Sequence, residues 1–566
     1  MASILATYGV TMFIEITARW WLSYWSEHGE GSQGKFLAIY ALINSANVIS
    51  MFLRQVMLYL SSIRASRVLF EKLLVSIMRA PMSFYDTTPI GRILNRFSKD
   101  MYTVDSQIPT TLRAYLGTLS AVIGTLMVIS TVTPWFMACL VPVAMFYVHN
   151  QRFFVSTYRE LRRLDSVSRS PIYALFGETL DGVATVRAYR AEGALKARIA
   201  DLLDENQTAF FLTFVAQCWL AVRLELAGTA IITFACLCVV LQHSAQAGNE
   251  TFAGAAGLSI SFALSVTQSL NWSVRMASDL EAQMISVERV QQYCRVEPEA
   301  PRDMEGDNNL PPGFPKGAIT FKNAEMRYRP GLPLVLKGLT LDIPAGSRCG
   351  VVGRTGAGKS SLMVVLMRLV ELSGGAIMID GVDISTLGLH LLRSKIAIVP
   401  QDPVLFSGTV KSNLDPFGNH SDARLWDVLG RVGMVGRGGR GGGGARIKGI
   451  GDVVEEDGAN FSVGQRQLLV IARALLSSAS IVLMDEATAA IDVETDAMIQ
   501  KAMRTEFAGA TSIVVAHRIN TIMDSDFILV MDQGKCEEFD TPQALLEKQG
   551  GLFKELVTAH ESSHGD

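Results

Sequence analysis

The 566-residue sequence carries little charge for its length: charged residues make up 19%, hydrophobic residues 49%, and the formal net charge is −3. A balance so close to neutral speaks against a nucleic-acid binder or a polyanionic tail. Cysteine is scarce and scattered. The seven (Cys139, Cys218, Cys236, Cys238, Cys294, Cys349 and Cys536) form no CxxC pair and have no histidine cluster beside them. That pattern excludes a disulfide framework or zinc site as the first expectation and leaves reduced thiols. The first apolar run also lacks a basic n-region and contains Glu15 and Arg19, so it reads as a span and not as a cleaved signal peptide. At this length about two to four domains are expected.

What is present divides sharply. Up to about Met284 the chain alternates long apolar stretches with charged ones, and after Pro298 it has the composition of a soluble α/β domain. Six stretches, 3–25, 36–61, 111–133, 135–154, 209–241 and 253–275, each approach the length of about twenty residues that a tilted helix needs to cross a bilayer. Arg64, Arg67, Lys72, Arg79, Arg92, Arg96 and Lys99 lie between spans two and three. Arg159, Arg162, Arg163, Arg169, Arg187, Arg190, Lys196 and Arg198 lie between spans four and five. The opposite loops hold almost none, Lys35 excepted. The positive-inside rule then makes both long connections and both termini cytoplasmic. These connections are helical in pattern, with short turns at Pro81–Pro89 and Ser168–Pro171. Solvated loops and rigid levers both fit, and periodicity does not choose.

From Val296 to Lys316 the chain has Pro298, Pro301, Pro311, Pro312 and Pro315 among acidic and Asn residues, the composition of an extended linker. It separates a membrane domain, 1–295, from a second domain, 317–566. There Ala318–Asn323 alternates as a strand, and Arg348–Val352 is a short buried-strand run. The run leads into Gly353-Arg354-Thr355-Gly356-Ala357-Gly358-Lys359-Ser360 and an apolar helix over Ser361–Val370: strand, glycine loop, helix, the context a Walker A motif requires. Glycines let successive backbone N–H groups close around phosphate oxygens, and the helix N-terminus adds positive potential. Lys359 is placed to reach the β- and γ-phosphates and Ser360 to offer a hydroxyl to Mg²⁺, with Ser361 beside them. The strand Ile481–Met484 ends in Asp485-Glu486, one carboxylate for the metal and one to orient or deprotonate water. Two solvated acids capping a strand is the plainer reading of that pair taken alone.

Between these motifs, Phe461-Ser462-Val463-Gly464-Gln465-Arg466-Gln467 resembles the signature of the ATP-binding-cassette (ABC) family, an element that helicases, kinases and GTPases lack. Gln401 looks like that family's Q-loop glutamine, and His517, after Ser512–Ala516, like its switch histidine. Tyr328 looks like the aromatic on which adenine stacks, and Ala489-Ala490-Ile491-Asp492 resembles the D-loop. The resemblance covers essentially the whole chain and is closest to the C subfamily, the multidrug-resistance-associated proteins. Ser83–Asp100 resembles the first cytoplasmic coupling segment of that subfamily's second membrane domain, and Glu178–Arg187 the second.

The resemblance implies a six-helix transmembrane domain of the type I exporter kind plus an α/β P-loop ATPase. It implies ATP and Mg²⁺ as ligands, with Ser360, Gln401 and Asp485 at the metal and Glu486, His517 and Gln401 at the chemistry. The nucleotide would contact Tyr328, the loop 353–361 and, across a dimer, Ser462, Gly464 and Gln465 of the opposite cassette. A second ABC half is therefore the implied partner, as the upstream half of a longer chain or a dimer mate. Val463, where other families have glycine, implies that this signature completes the partner's site poorly. A multi-pass protein of the plasma membrane or a vacuole-type membrane follows, with its cassette in the cytosol and no nucleic-acid partner.

Polar residues inside spans usually face a cavity or one another. Arg223, Glu225, Asn271, Trp272 and Arg275 match positions that line the subfamily's substrate path, suited to an organic anion and an aromatic face. Helix packing is the competing reading for Arg223 and Glu225. Glu15 stands four residues before Arg19, the spacing of an intrahelical ion pair. Cys218 stands where many subfamily members have arginine, so a positive charge associated with glutathione conjugates is missing. Gly436–Gly444 has seven glycines in nine residues, too many for a stable helix; it reads as a surface loop and not an RGG-like tract. Asn249-Glu250-Thr251 is a sequon in an external loop, whereas those at Asn206 and Asn419 are cytosolic. An exporter is the first functional expectation and an ATP-gated channel or channel regulator the alternative.

Overall fold

The computed structural model describes residues 2–28, 33–132, 135–243, 250–434, 447, 449–485, 499, 504–507, 509–516 and 522–564. Asn249 and Gly436–Gly444 lie outside the described residues. The chain forms two compact units: Met1–Met78 with Pro89–Val296, and Arg79–Thr88 with Glu297–Asp566.

The first unit is helical. Its long helices are α1 (Ala2–His28) and α2 (Gln33–Met78), then, past the short helices α3 (Met82–Thr87) and α4 (Ile90–Asn95), α5 (Ile108–Val132) and α6 (Phe136–Asp181); the short α7 (Val183–Ala188) precedes α8 (Glu192–His243) and α9 (Glu250–Tyr293). The six expected spans coincide with α1, α2, α5, α6, α8 and α9. Among the described residues three helical stretches, Gln33–Met78, Ile90–Val132 and Glu192–Gln242, are long and apolar enough to cross a membrane by composition alone. The other three dilute their apolar runs with polar side chains, such as Glu15 and Arg19 in α1 and Asn271 and Arg275 in α9. At the α1–α2 turn Trp21 donates to the Phe36 carbonyl at 3.2 Å and Trp25 stacks on Phe36, the amphipathic aromatics expected where helices meet a membrane–water interface. Glu15 and Arg19 pair at 2.7 Å, as their spacing predicts.

The long connections are continuations of the membrane helices. The first expected turn is present: Pro81 and Pro89 precede α3 and α4, each in the extended conformation that starts a helix cleanly. The second is not where the sequence suggests. α6 runs unbroken through Ser168–Pro171, and the chain turns instead at Gly182 and at Arg190, whose φ is +53°. Packing overrides the proline. Asn206 of α8, buried, donates to the Asp165 carbonyl, the Asp165 carboxylate and the Ser168 hydroxyl, each at 3.0 Å. Glu178–Arg187, singled out from sequence, contains the first of these turns, at Gly182.

Between α4 and α5 the helix carries two π-helical segments, Arg96–Asp100 and Thr103–Gln107, a distortion that often marks functional positions. Asp100, 2% exposed, accepts from Arg96 at 2.8 Å and from Arg289 of α9 at 3.1 Å. Burial raises its pKa, but hydrogen bonds from Arg289 and Ser286 and the charges of Arg289 and Arg96 outweigh it, leaving the carboxyl below its ordinary range.

The second unit is an α/β domain. One antiparallel sheet has the order β2-β1-β4-β5, with β1 Ile319–Met326, β2 Leu336–Ile343, β4 Gly374–Ile379 and β5 Val382–Asp383. The main sheet has the order β12-β11-β3-β10-β9-β6, from β3 (Arg348–Gly353), β6 (Ile396–Val399), β9 (Ile481–Asp485), β10 (Thr511–Val515), β11 (Phe527–Asp532) and β12 (Lys535–Asp540). Its inner strands are parallel and mostly apolar because both faces are covered. Helix α10 (Lys359–Leu366) packs between the sheets, with Leu362 and Leu366 against Phe321, Leu339 and Val351. It stops four residues short of the expected Val370. Arg368 turns back at φ +47°, and its buried guanidinium donates to the Ile384 and Leu387 carbonyls. The linker is docked rather than free: Asp307 accepts from Gly388 N–H, and the Pro301 carbonyl accepts from Leu389 N–H.

Candidate functional site

All the parallel strands of the main sheet end at one edge, the position where α/β sheets bind ligands. β3 ends at Gly353, β9 at Asp485 and β6 two residues before Gln401. A Cβ on Gly353 would collide with the Met531 carbonyl of the neighbouring β11, so only glycine lets the two strands pair here. Gly356 and Gly358 turn the loop at φ +84° and +97°, and a Cβ on Gly356 would meet nothing within 4 Å. The loop Arg354–Gly358 thus presents open backbone, with Ala357 as its buried anchor.

Lys359 heads α10. Its ammonium donates to the Gly353 and Arg354 carbonyls at 3.0 and 3.2 Å, which holds the charge across the loop where phosphate oxygens would sit. Next to it the Ser360 hydroxyl lies 3.5 Å from the Asp485 carboxylate. Two hard oxygen groups meeting at the loop's mouth, one of them a carboxylate, suit Mg²⁺. Ser361, 5% exposed, has its hydroxyl 2.8 Å from the Tyr328 hydroxyl, a contact that fixes the half-buried tyrosine ring beside α10. Gln401 is exposed at the same sheet edge. Glu486, His517 and the D-loop Ala489–Asp492 lie outside the described residues.

The signature is a helix start. Ser462 caps α14 (Val463–Leu476): its hydroxyl accepts from Gln465 N–H at 3.3 Å, and the Gln465 side chain accepts from Ser462 N–H at 3.0 Å. That S-x-x-Q capping box was legible from the sequence, since an apolar run follows it. Gly464 is buried and Val463 exposed at the helix tip. Gln467, 1% exposed, donates to the Pro400 carbonyl at 3.1 Å and so ties this helix to the strand end that carries Gln401.

The helical unit holds a second site. A cavity of about 260 Å³ between α6, α8 and α9 is walled by Tyr158, Gln217, Asn271, Trp272, Arg275 and Asp279, among others. Three of the five expected path residues therefore converge. Arg223 and Glu225 are not on its wall: Arg223 stacks over Trp219 of its own helix at 3.9 Å, and Glu225 is exposed. Gln217 and Asp279 are among the wall residues that escaped the sequence reading. Gln217 accepts from Arg275 at 2.9 Å, and Asp279 accepts from Tyr158 at 3.2 Å. The position of Gln217, beside Cys218, was the available signal for the first, and a one-turn step from Arg275 for the second. The cavity shares Tyr158, Ser278 and Asp279 with a wider one of about 970 Å³ that reaches Thr103 and Gln107.

Comparison with known proteins matches both units of the chain. The model of the ABC transporter transmembrane region matches residues 2–269, and that of the ABC transporter matches residues 336–489. ABC transporter C family member 8 of Dictyostelium discoideum is 43% identical over 99% of this chain and 36% of the relative. The ATP-binding cassette sub-family C member 3 of Mus musculus is 43% identical over 97% of this chain and 36% of its own. Human sub-family C member 2 is 43% identical over 94% and 34%. The chain thus spans about a third of the length of the curated relatives it matches.

Proposed function

The chain belongs to the C subfamily of ABC transporters, as a transmembrane region joined to an ATPase domain, and from that premise we propose that it is half of an exporter driving small amphipathic molecules out of the cytosol. The observation that carries the reading is the pairing, in one chain, of a complete phosphate loop with a helical unit that holds a cavity lined by both apolar and charged side chains.

In this mechanism six helices cross the bilayer and form residues 1–295 of the membrane domain. The backbone of 353–358 and the Lys359 ammonium bind the β- and γ-phosphates of ATP. Ser360, Asp485 and Gln401 would hold Mg²⁺, which would supply positive charge against those oxygens. Glu486 orients the attacking water and takes its proton, and His517 stabilises the γ-phosphoryl as it transfers. Tyr328, positioned by Ser361, gives adenine a stacking face. A second ABC half supplies the other signature, while Ser462, Gly464 and Gln465 of this chain complete that half's site. Exposed Val463 at the helix tip makes this contribution the weaker of the two. Grouping of Arg79–Thr88 with the cassette, where the Arg79 carbonyl accepts from Glu299 N–H at 2.7 Å, supports the lever reading of the first connection.

The test is ATP-dependent uptake of a labelled amphipathic anion by inside-out vesicles carrying the protein. Glu486→Gln is expected to abolish uptake while leaving ATP binding intact. Uptake indifferent to that substitution refutes the mechanism, and an ATP-gated current in its place would select the channel reading.

A further inference from the structure

The α6–α8–α9 cavity has two poles, and the sequence pointed to only one. Arg275 and Asp279 stand one turn apart on α9 and both line it. The same spacing closes ion pairs elsewhere in this chain, Arg67–Glu71 at 2.9 Å and Arg96–Asp100 at 2.8 Å. Among the described residues no ion pair joins Arg275 to Asp279. Each is held aside by an uncharged partner from another helix: Gln217 accepts from Arg275 at 2.9 Å, and Tyr158 donates to Asp279 at 3.2 Å. Tyr158 is itself steadied by Arg162, which donates to its hydroxyl at 2.9 and 3.1 Å. Opposite charges in one cavity, each oriented but not neutralised by the other, are complementary to a ligand that brings both signs.

A third feature lies between them. Ser278 lines the cavity and is 6% exposed, and among the described residues its hydroxyl has no hydrogen-bond partner. A buried polar atom without a partner is unusual, and a polar ligand beside it is one way to satisfy it. The exposed Trp272 ring and Phe154 supply apolar faces on the same wall.

We propose that this cavity selects zwitterionic amphipathic molecules, with Arg275 taking the anionic group, Asp279 the cationic group and Trp272 the apolar body. A purely anionic ligand satisfies Arg275 but faces the Asp279 carboxylate; a cationic ligand meets the reverse. The inference rests on the cavity being the transported molecule's site.

The test uses a matched fluorescent pair, Nε-dansyl-lysine and dansyl-aminocaproate, which differ only by an α-ammonium group. Binding to the full-length protein in phosphatidylcholine nanodiscs is measured by fluorescence, with empty nanodiscs subtracted. Dansyl-lysine is expected to bind more tightly by about five- to tenfold, the range between an exposed and a desolvated charge pair. Asp279→Asn should erase that preference by weakening dansyl-lysine alone, Asp279→Glu should retain it, and Arg275→Gln should weaken both probes. Equal losses for both probes in Asp279→Asn, or an unchanged preference, overturn the proposal while leaving the cavity as the binding site. If neither probe binds, or Arg275→Gln changes neither, the cavity reading itself falls and the proposal with it.

Discussion

Asp100→Asn is expected to destabilise the helical unit by about 2–4 kcal/mol. The carboxylate side chain is 3% exposed and lies between two guanidinium groups, one at 16% and one at 40% exposure. The amide preserves shape, so no cavity forms, and the cost is electrostatic. It strands two cations around a site that then presents an N–H₂ group to them. Removing one partner of a buried pair costs about 3–5 kcal/mol. The half-exposed Arg289 recovers part of that by rehydration, whereas Arg96, stacked over Tyr293 at 5.1 Å, does not. For a unit of this size the melting temperature should fall by roughly 3–7 °C, read by thermal unfolding in detergent at a fixed scan rate.

A pH series supplies an independent arm. The Asp100 carboxyl is held below its ordinary range by Arg289, Ser286 and Arg96 against the opposing effect of burial. A depressed carboxyl stabilises the fold above its unfolded pKa and loses that contribution as pH falls through its folded one. The gap between wild type and Asp100→Asn should therefore be constant near neutrality and close below about pH 4. A melting difference under about 1 °C, or one that persists unchanged into acid, would refute this account of the cluster.

Lys359→Ala should lower ATP turnover by about 10²- to 10³-fold with little change in melting temperature, as measured by phosphate release and thermal unfolding. Gly353→Ala forces a methyl group against the Met531 carbonyl, and a loss of more than about 2 kcal/mol in cassette stability should appear in urea unfolding. Val463→Gly removes an exposed side chain at a helix tip. It should cost under about 1 kcal/mol of stability yet raise total ATPase activity in the assembled transporter; unchanged activity would exonerate Val463. Glu538, buried, accepts from Lys548 at 2.9 Å and from Phe553 N–H at 3.1 Å. Burial raises its pKa, but these contacts leave it lowered. Glu538→Gln should thus cost about 1–3 kcal/mol at neutral pH, a difference that shrinks in acid.

Much of the nucleotide site was legible because its residues are contiguous or anchored to short, unmistakable elements. A glycine loop between a buried strand and a helix needs no partner from elsewhere to be recognised, and strand ends fix Asp485 and Gln401 at one sheet edge. The Ser361–Tyr328 contact was not legible, because it joins residues far apart in the sequence across the fold. The turn assigned to Ser168–Pro171 failed for a related reason: a proline is a local breaker, and the buried Asn206–Asp165 network that holds α6 straight comes from another helix.

The membrane half shows the division most clearly. By itself the sequence determined the apolar stretches, the Glu15–Arg19 pair, the Walker A loop and the signature, because each depends on spacing along one chain segment. Tertiary structure alone decided which polar groups share a space. It gathered Asn271, Trp272 and Arg275 with Gln217 and Asp279, sent Arg223 onto Trp219, and closed Arg96 and Arg289 around Asp100. Helical periodicity fixes a residue's angle on its own helix; which helix faces that angle is set by packing, and the chemistry of a cavity belongs to the faces that meet.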